Sequence, residues 1–174
     1  MRGPIWLLDV DGVINASRPG WGAPPRSGLA FSAGEGFRLR WAPALIARIR
    51  ALHRGGRVEI RWCTTWCADA DQVERVVGLP AFERCWRHEL NGTAAALAKL
   101  AAAREVLDRG HPLVWTDDAV VPASGPVYDE LTAGGRALLI APKPSRGLQP
   151  EHLDAIEAFI ESHQAPPLRL ADLL

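Results

Sequence analysis

The chain has 174 residues, which suits one domain with a single core and leaves little for a second. Its composition, 48% apolar and 23% charged, is that of a globular protein and excludes disordered or collagen-like chains. A formal net charge of zero argues against a general nucleic-acid coat protein, whose affinity would rest on excess positive charge.

Residues 5–8, Ile-Trp-Leu-Leu, form an apolar run that reads as a strand buried on both faces, with Gly12 marking the turn out of it. Residues 16–41 are rich in Gly, Pro and Ser and carry a hairpin signal, with strands expected at 29–32 and 37–41 around Ala-Gly-Glu-Gly. A loop this long within a domain is usually functional or mobile. Pro43 opens a helix with Leu45, Ile46, Ile49 and Leu52 on one face, stopped by Gly55-Gly56. Residues 57–63 read as the next strand, although Arg57, Glu59 and Arg61 give it a wet face that a covered inner strand should lack. A helix over about 68–77 ends at Gly78-Leu79-Pro80, and 82–90 holds at most a short strand. Thr93 is expected to cap an Ala-rich helix to about Asp108, with Leu97, Leu100 and Leu107 inward and Lys99 off that face. The strand at 113–116 ends in Asp117-Asp118; a last strand at 137–141 leads to a helix opened by Pro150, with Leu153, Ile156 and Ile160 inward. Strand–helix alternation implies a parallel sheet with helices on both sides.

The balanced charge hides an asymmetry. Nine arginines fall between Arg18 and Arg61 against Glu35 and Glu59, while residues 101–174 carry six basic and eleven acidic side chains. That basic segment is either a solvated surface or a rim that draws in an anionic substrate. Three cysteines, Cys63, Cys67 and Cys85, without paired spacing suggest buried thiols and a reducing compartment rather than a disulfide scaffold or a structural zinc. The first strand begins almost at once, which predicts no signal peptide, and no apolar stretch approaches a membrane span. A cytoplasmic protein is expected.

Chemistry concentrates at strand ends. Asp9 and Asp11 stand at the carboxyl end of a parallel strand, where open α/β sheets place ligands. Strand alternation would send both side chains the same way, so their charges repel unless a cation sits between them. Asp117 and Asp118 pose the same problem, since two acids at a buried strand end are costly without a cation. Thr64 and Thr65 follow the second core strand, where either is also an ordinary cap or turn residue; Lys99 precedes the strand at 113–116 and could equally be a solvated helix lysine.

Taken in order, Asp9-Val10-Asp11-Gly12, a Thr after the second core strand, Lys99 and Asp117-Asp118 resemble the four motifs of the haloacid dehalogenase (HAD) superfamily of phosphohydrolases. The resemblance spans residues 5–118. Trp62-Cys63-Thr64-Thr65-Trp66 and Trp115-Thr116-Asp117-Asp118 are similar, more closely, to the HAD domain of the "Swiss Army Knife" RNA repair proteins. The resemblance implies a single Rossmann-like α/β domain over 1–174: a three-layer sandwich, parallel sheet order 5-4-1-2-3, a small flap insert at about 16–42 and no large cap. The activity it implies is Mg²⁺-dependent hydrolysis of a phosphomonoester through an aspartyl-phosphate. Asp9 would be the nucleophile and Asp11 the general acid and then base. Thr64, with Thr65 as its rival, would hydrogen-bond a phosphate oxygen, and Lys99 would offset charge. The metal would be held by Asp9, the Asp11 backbone carbonyl and Asp118, with Asp117 in support, a set of hard oxygens that suits Mg²⁺. Gly12, Thr65, Arg38 and Arg40 would line the substrate.

That substrate is expected to be a phosphorylated small molecule or a nucleic-acid terminus, the open site favouring bulky ones; no protein partner is implied. Trp21 and Trp41 in the flap are candidates for stacking on bases, whereas Trp6, Trp62, Trp66 and Trp115 suit core packing. Two other classes fit less well. One is an HAD-like module that binds without turnover. The other is a metal-dependent nucleotide-sugar transferase with an Asp-x-Asp pair, which leaves Asp117-Asp118 unexplained.

Overall fold

Strand β1 (Ile5–Leu8) is buried along its whole length and pairs in parallel with β4 (Glu59–Trp62) on one side and β6 (Leu113–Thr116) on the other. The computed structural model describes residues 3–164, so the expected domain bounds at 1 and 174 lie outside the described residues. The short strand β5 (Glu83–Arg84) joins β4, and β7 (Ala137–Ile140) joins β6, both in parallel. The five-stranded order is therefore β5-β4-β1-β6-β7. Counting core strands alone, this is the expected 5-4-1-2-3 arrangement read from one edge, a central parallel sheet flanked by helices.

The pleat assigns each helix its face. Leu7 lines one cleft with Ala102 and Val106 of α3 (Gly92–Asp108), and Arg104 of α3 pairs with Glu130 of α4 (Pro126–Thr132) at 2.7 Å. Leu8 and its register partner Trp62 point the other way. On that face the Trp62 indole donates to Glu74 of α2 (Ala70–Val77) at 2.7 Å. Arg48 of α1 (Pro43–Arg54) pairs there with Asp154 and Glu157 of α5 (Pro150–Ser162), each at 2.8 Å. Three indoles, Trp6, Trp62 and Trp115, are fully buried against the sheet. The Trp6 N–H donates to the Thr116 hydroxyl at 2.9 Å, a buried bond worth about 1 kcal/mol across neighbouring strands.

The conflict on β4 has a simple cause. The strand is shorter than residues 57–63, and its face towards α3 borders a cleft instead of close packing. Glu59 and Arg61 line an open cleft of about 420 Å³ there, which accounts for the polar alternation. Helices α1 and α5 bury the residues expected of them, Leu45, Ile46, Ile49 and Leu52 in the first and Leu153, Ile156 and Ile160 in the second. The predicted helix over 68–77 is two pieces, a 3-10 turn at Thr65–Asp69 and then α2, closed by Gly78 at φ +80°. Helix α4 was not among the expected elements; only Leu131 on it is buried, so it has almost no apolar period.

Helix α3 corrects a sequence expectation. Its first residue is Gly92 and its cap position is Asn91 rather than Thr93; its buried stripe is Ala95, Lys99, Ala103 and Val106. Leu97 is 64% exposed, and Leu100 and Leu107 are half-buried. Small alanines let the helix approach the sheet closely, and that approach carries the Lys99 stem inward. The flap is a β-hairpin, β2 (Arg26–Ser32) and β3 (Glu35–Trp41), longer than expected because pairing runs from Arg26↔Trp41 to Ser32↔Glu35. Its two-residue turn, Ala33-Gly34, has positive φ at both positions, the twist that hairpins favour. No helix among the described residues is long and apolar enough to cross a membrane.

Candidate active site

Three strands end at one place. Backbone bonds extend the ladders past the strands: Asp9 N–H donates to Thr116 O at 3.1 Å, Asp117 N–H to Ile140 O at 3.2 Å and Cys63 N–H to Leu8 O at 3.0 Å. The side chains that follow are therefore fixed by the sheet. Asp9, Asp117 and Asp118 bring one carboxylate oxygen each within 4.8 Å of one another, a buried acidic group able to coordinate a metal ion. Gly12 makes room for it. Its φ is +68°, and a Cβ there would lie 2.1 Å from Asp118 Cγ, so only glycine lets this turn sit against Asp118.

Lys99 reaches the group from beneath, its Nζ 2.6 Å from both Asp9 Oδ2 and Asp117 Oδ2. One ammonium cannot balance three carboxylates, and the deficit appears as displaced proton affinities. Burial, reinforced by the negative charge of Asp117, pushes Asp9 from 3.8 up to about 8 despite Lys99 beside it. Asp117 is shifted the opposite way. Burial works against its charge, but the Asp9 carboxyl, Lys99 and the Val120 N–H hold it below the ordinary value. Its Oδ1 accepts from Ala119 N–H at 2.9 Å and Val120 N–H at 2.7 Å. Asp118 is raised, first by burial and then by Asp117. Lys99 is held well above its usual value; burial opposes its charge, but both carboxylates outweigh it. A divalent cation relieves all of this at once.

Asp11 departs from expectation. The strand ends at Leu8, so its alternation does not carry through to residue 11, and the Asp11 side chain is exposed and outside the acidic group. Its oxygens accept from Asn15 Nδ2 at 2.7 Å and Trp66 Nε1 at 2.9 Å. No cation is needed to hold Asp9 and Asp11 apart. Neither Asn15 nor Trp66 is a sequence candidate for the site; Trp66 suits packing, and only the requirement that a buried indole N–H find an acceptor hints otherwise.

The remaining candidates are scattered around this centre. Thr64 is fully buried, and its hydroxyl accepts the Trp66 N–H at 3.3 Å, capping the 3-10 turn. Thr65 is half-buried and lines a cleft of about 310 Å³ with Asp11, Phe37 and Arg38. A wider cleft of about 690 Å³ opens on the other side of Asp11, lined by Gly12, Arg38, Arg40 and Ser145. Arg38 is exposed and reaches both clefts, whereas Arg40 is partly committed, its Nη1 donating to Ser17 O at 3.2 Å. Of the two flap tryptophans, Trp21 is half-buried and anchored through its N–H, while Trp41 cannot stack on a base. The first donates to Leu148 O at 2.8 Å, and the second is buried in the core. All three cysteines are free thiols, Cys63 and Cys67 buried.

No protein-family model, no curated protein and no solved structure matches this chain.

Proposed function

We propose that the protein is a Mg²⁺-dependent phosphohydrolase of the haloacid dehalogenase type, acting on a phosphomonoester through an aspartyl-phosphate. What supports this reading is one juxtaposition: Asp9, Asp117 and Asp118 converge at the end of a parallel sheet, Lys99 lies between two of them, and a further acid, Asp11, stands beside them over open clefts. Carboxylates and a backbone carbonyl are the donors Mg²⁺ takes, and the Asp9 and Asp118 carboxyls, raised first by burial and further by Asp117, are groups whose charge a bound cation would favour. Asp9, Asp118 and the Asp11 carbonyl would hold the ion, which supplies charge neutralisation for the phosphoryl oxygens.

The chain's own groups do the rest. Asp9 attacks phosphorus with one carboxylate oxygen, and Lys99 keeps that oxygen in place and offsets the charge gathering around it. Asp11 gives a proton to the departing alkoxide and later takes one from the water that cleaves the acyl-phosphate. Arg38 on the rim attracts an anionic substrate, and the open clefts leave room for a nucleic-acid terminus, as in the RNA-repair proteins that the Trp-rich motifs resemble.

The test is phosphate release from p-nitrophenyl phosphate and from 3′- and 5′-phosphorylated oligonucleotides, with Mg²⁺ and with chelator. Turnover should need the metal, and Asp9→Asn should lower it by about three orders of magnitude with the fold intact. Activity that survives this substitution removes Asp9 as nucleophile. Silence on every ester shifts the reading to a binding module.

A further inference from the structure

Both oxygens of Asp11 are engaged by the protein itself, through Trp66 Nε1 at 2.9 Å on Oδ2 and Asn15 Nδ2 at 2.7 Å on Oδ1. The donors are themselves fixed. Trp66 is 5% exposed, and Asn15 closes the turn after β1, its N–H donating to Val10 O at 2.8 Å. Each donor also grips the hairpin. Asn15 Oδ1 accepts the Arg40 N–H of β3 at 2.9 Å, and Phe37 of β3 meets the Trp66 ring edge-on, at 5.5 Å and 82°. A second anchor, Ser32 Oγ donating to Asp69 Oδ2 at 2.8 Å, ties β2 to the 3-10 turn that carries Trp66. Asp11 is thus the node between the flap and the turn after β4.

We propose that Trp66 and Asn15 are positioning residues that aim the Asp11 carboxylate at the hydrolytic water, and that the seating of the hairpin sets this aim. The inference rests on the phosphohydrolase reading. An exposed aspartate with no partner spreads over several rotamers, whereas two donors from fixed elements select one. Two N–H donors suit a carboxylate that accepts, and so suit the step in which Asp11 takes a proton rather than gives one. In that step a water oxygen bonds to phosphorus, the bond from phosphorus to the Asp9 oxygen breaks with its electron pair returning to the carboxylate, and the water proton passes to Asp11.

The step follows loss of the leaving group, which gives it a kinetic signature. With p-nitrophenyl phosphate, whose phenolate departs without a proton, Trp66→Phe should lower kcat about tenfold and KM by a similar factor, leaving kcat/KM nearly unchanged. Rapid mixing should then show a burst of nitrophenolate as phosphoenzyme accumulates. Phe37→Ala should move the same quantities in the same direction, by about threefold, because it loosens Trp66 without touching Asp11. In a nitrogen–proton NMR spectrum the indole resonance that Trp66→Phe removes should shift in Asp11→Asn, which reads the hydrogen bond independently of turnover. A parallel fall in kcat and kcat/KM without a burst, or an indole resonance indifferent to Asp11→Asn, overturns the proposal while leaving the phosphohydrolase standing. A wild-type protein that turns over no ester overturns both.

Discussion

Removing the Asp9 charge should change how stability depends on pH. In the folded chain without metal, Asp9 keeps its proton up to about pH 8, whereas in the unfolded chain it releases it near 3.8. A carboxyl raised in the folded state contributes stability that is complete below pH 3.8 and is lost as pH rises towards 8. At about 1.4 kcal/mol per pH unit this amounts to something on the order of 6 kcal/mol across the window; Asp117, whose depressed value acts in the opposite sense, works below 3.8 and so outside it. Urea unfolding followed by tryptophan fluorescence in chelator should therefore show wild-type stability falling by about 1 kcal/mol per pH unit between pH 5 and 8. Asp9→Asn should be flatter over that range, with only the slope left by the raised Asp118, and more stable than wild type at pH 8. Mg²⁺ at a hundredfold excess over its Kd should restore about 2.7 kcal/mol to the wild type and much less to the variant. Wild-type stability that stays level or rises from pH 5 to 8 in chelator, in parallel with Asp9→Asn, would refute the account of a buried, charge-deficient acidic group.

Other substitutions probe the same centre from different sides. Lys99→Met removes the ammonium that touches both Asp9 and Asp117 and leaves the buried acids without it, so it should destabilise by about 3 kcal/mol in urea titration and abolish turnover. Gly12→Ala places a Cβ against Asp118 on a backbone that L-residues rarely adopt; Mg²⁺ affinity by calorimetry should fall about tenfold and stability by about 1–2 kcal/mol. Arg38→Ala should raise KM for phosphorylated oligonucleotides more than for p-nitrophenyl phosphate, and equal changes would remove Arg38 from the substrate rim.

How far each residue could be read depended on whether its signal was local. Asp9, Asp117 and Asp118 were legible because apolar runs lead straight into them, and a run that is buried must end at a sheet edge. Lys99 is legible as a site candidate, but the helix face that carries it is not, because leucine weighs more than alanine in a periodicity argument. The close approach of α3 favours alanine, and the leucines were left at the edge. Asp11 was placed with Asp9 by extending strand alternation beyond the strand. Trp66 carried only the hint of an indole N–H that needs an acceptor, because its partner Asp11 lies 55 positions away, whereas Asn15, four residues from Asp11, was missed because no periodic pattern marks a turn contact.

The sequence by itself determined the parallel α/β layering and the strand ends that carry acids, since hydrophobic period and turn residues act over a few neighbours. Tertiary structure alone decided which carboxylates meet, which one holds the proton, and that Asp11 is tethered to the hairpin instead of joining the group. Those outcomes depend on burial and on distances of a few ångströms between residues as much as 109 positions apart, as Asp9 and Asp118 are, and no local pattern encodes them.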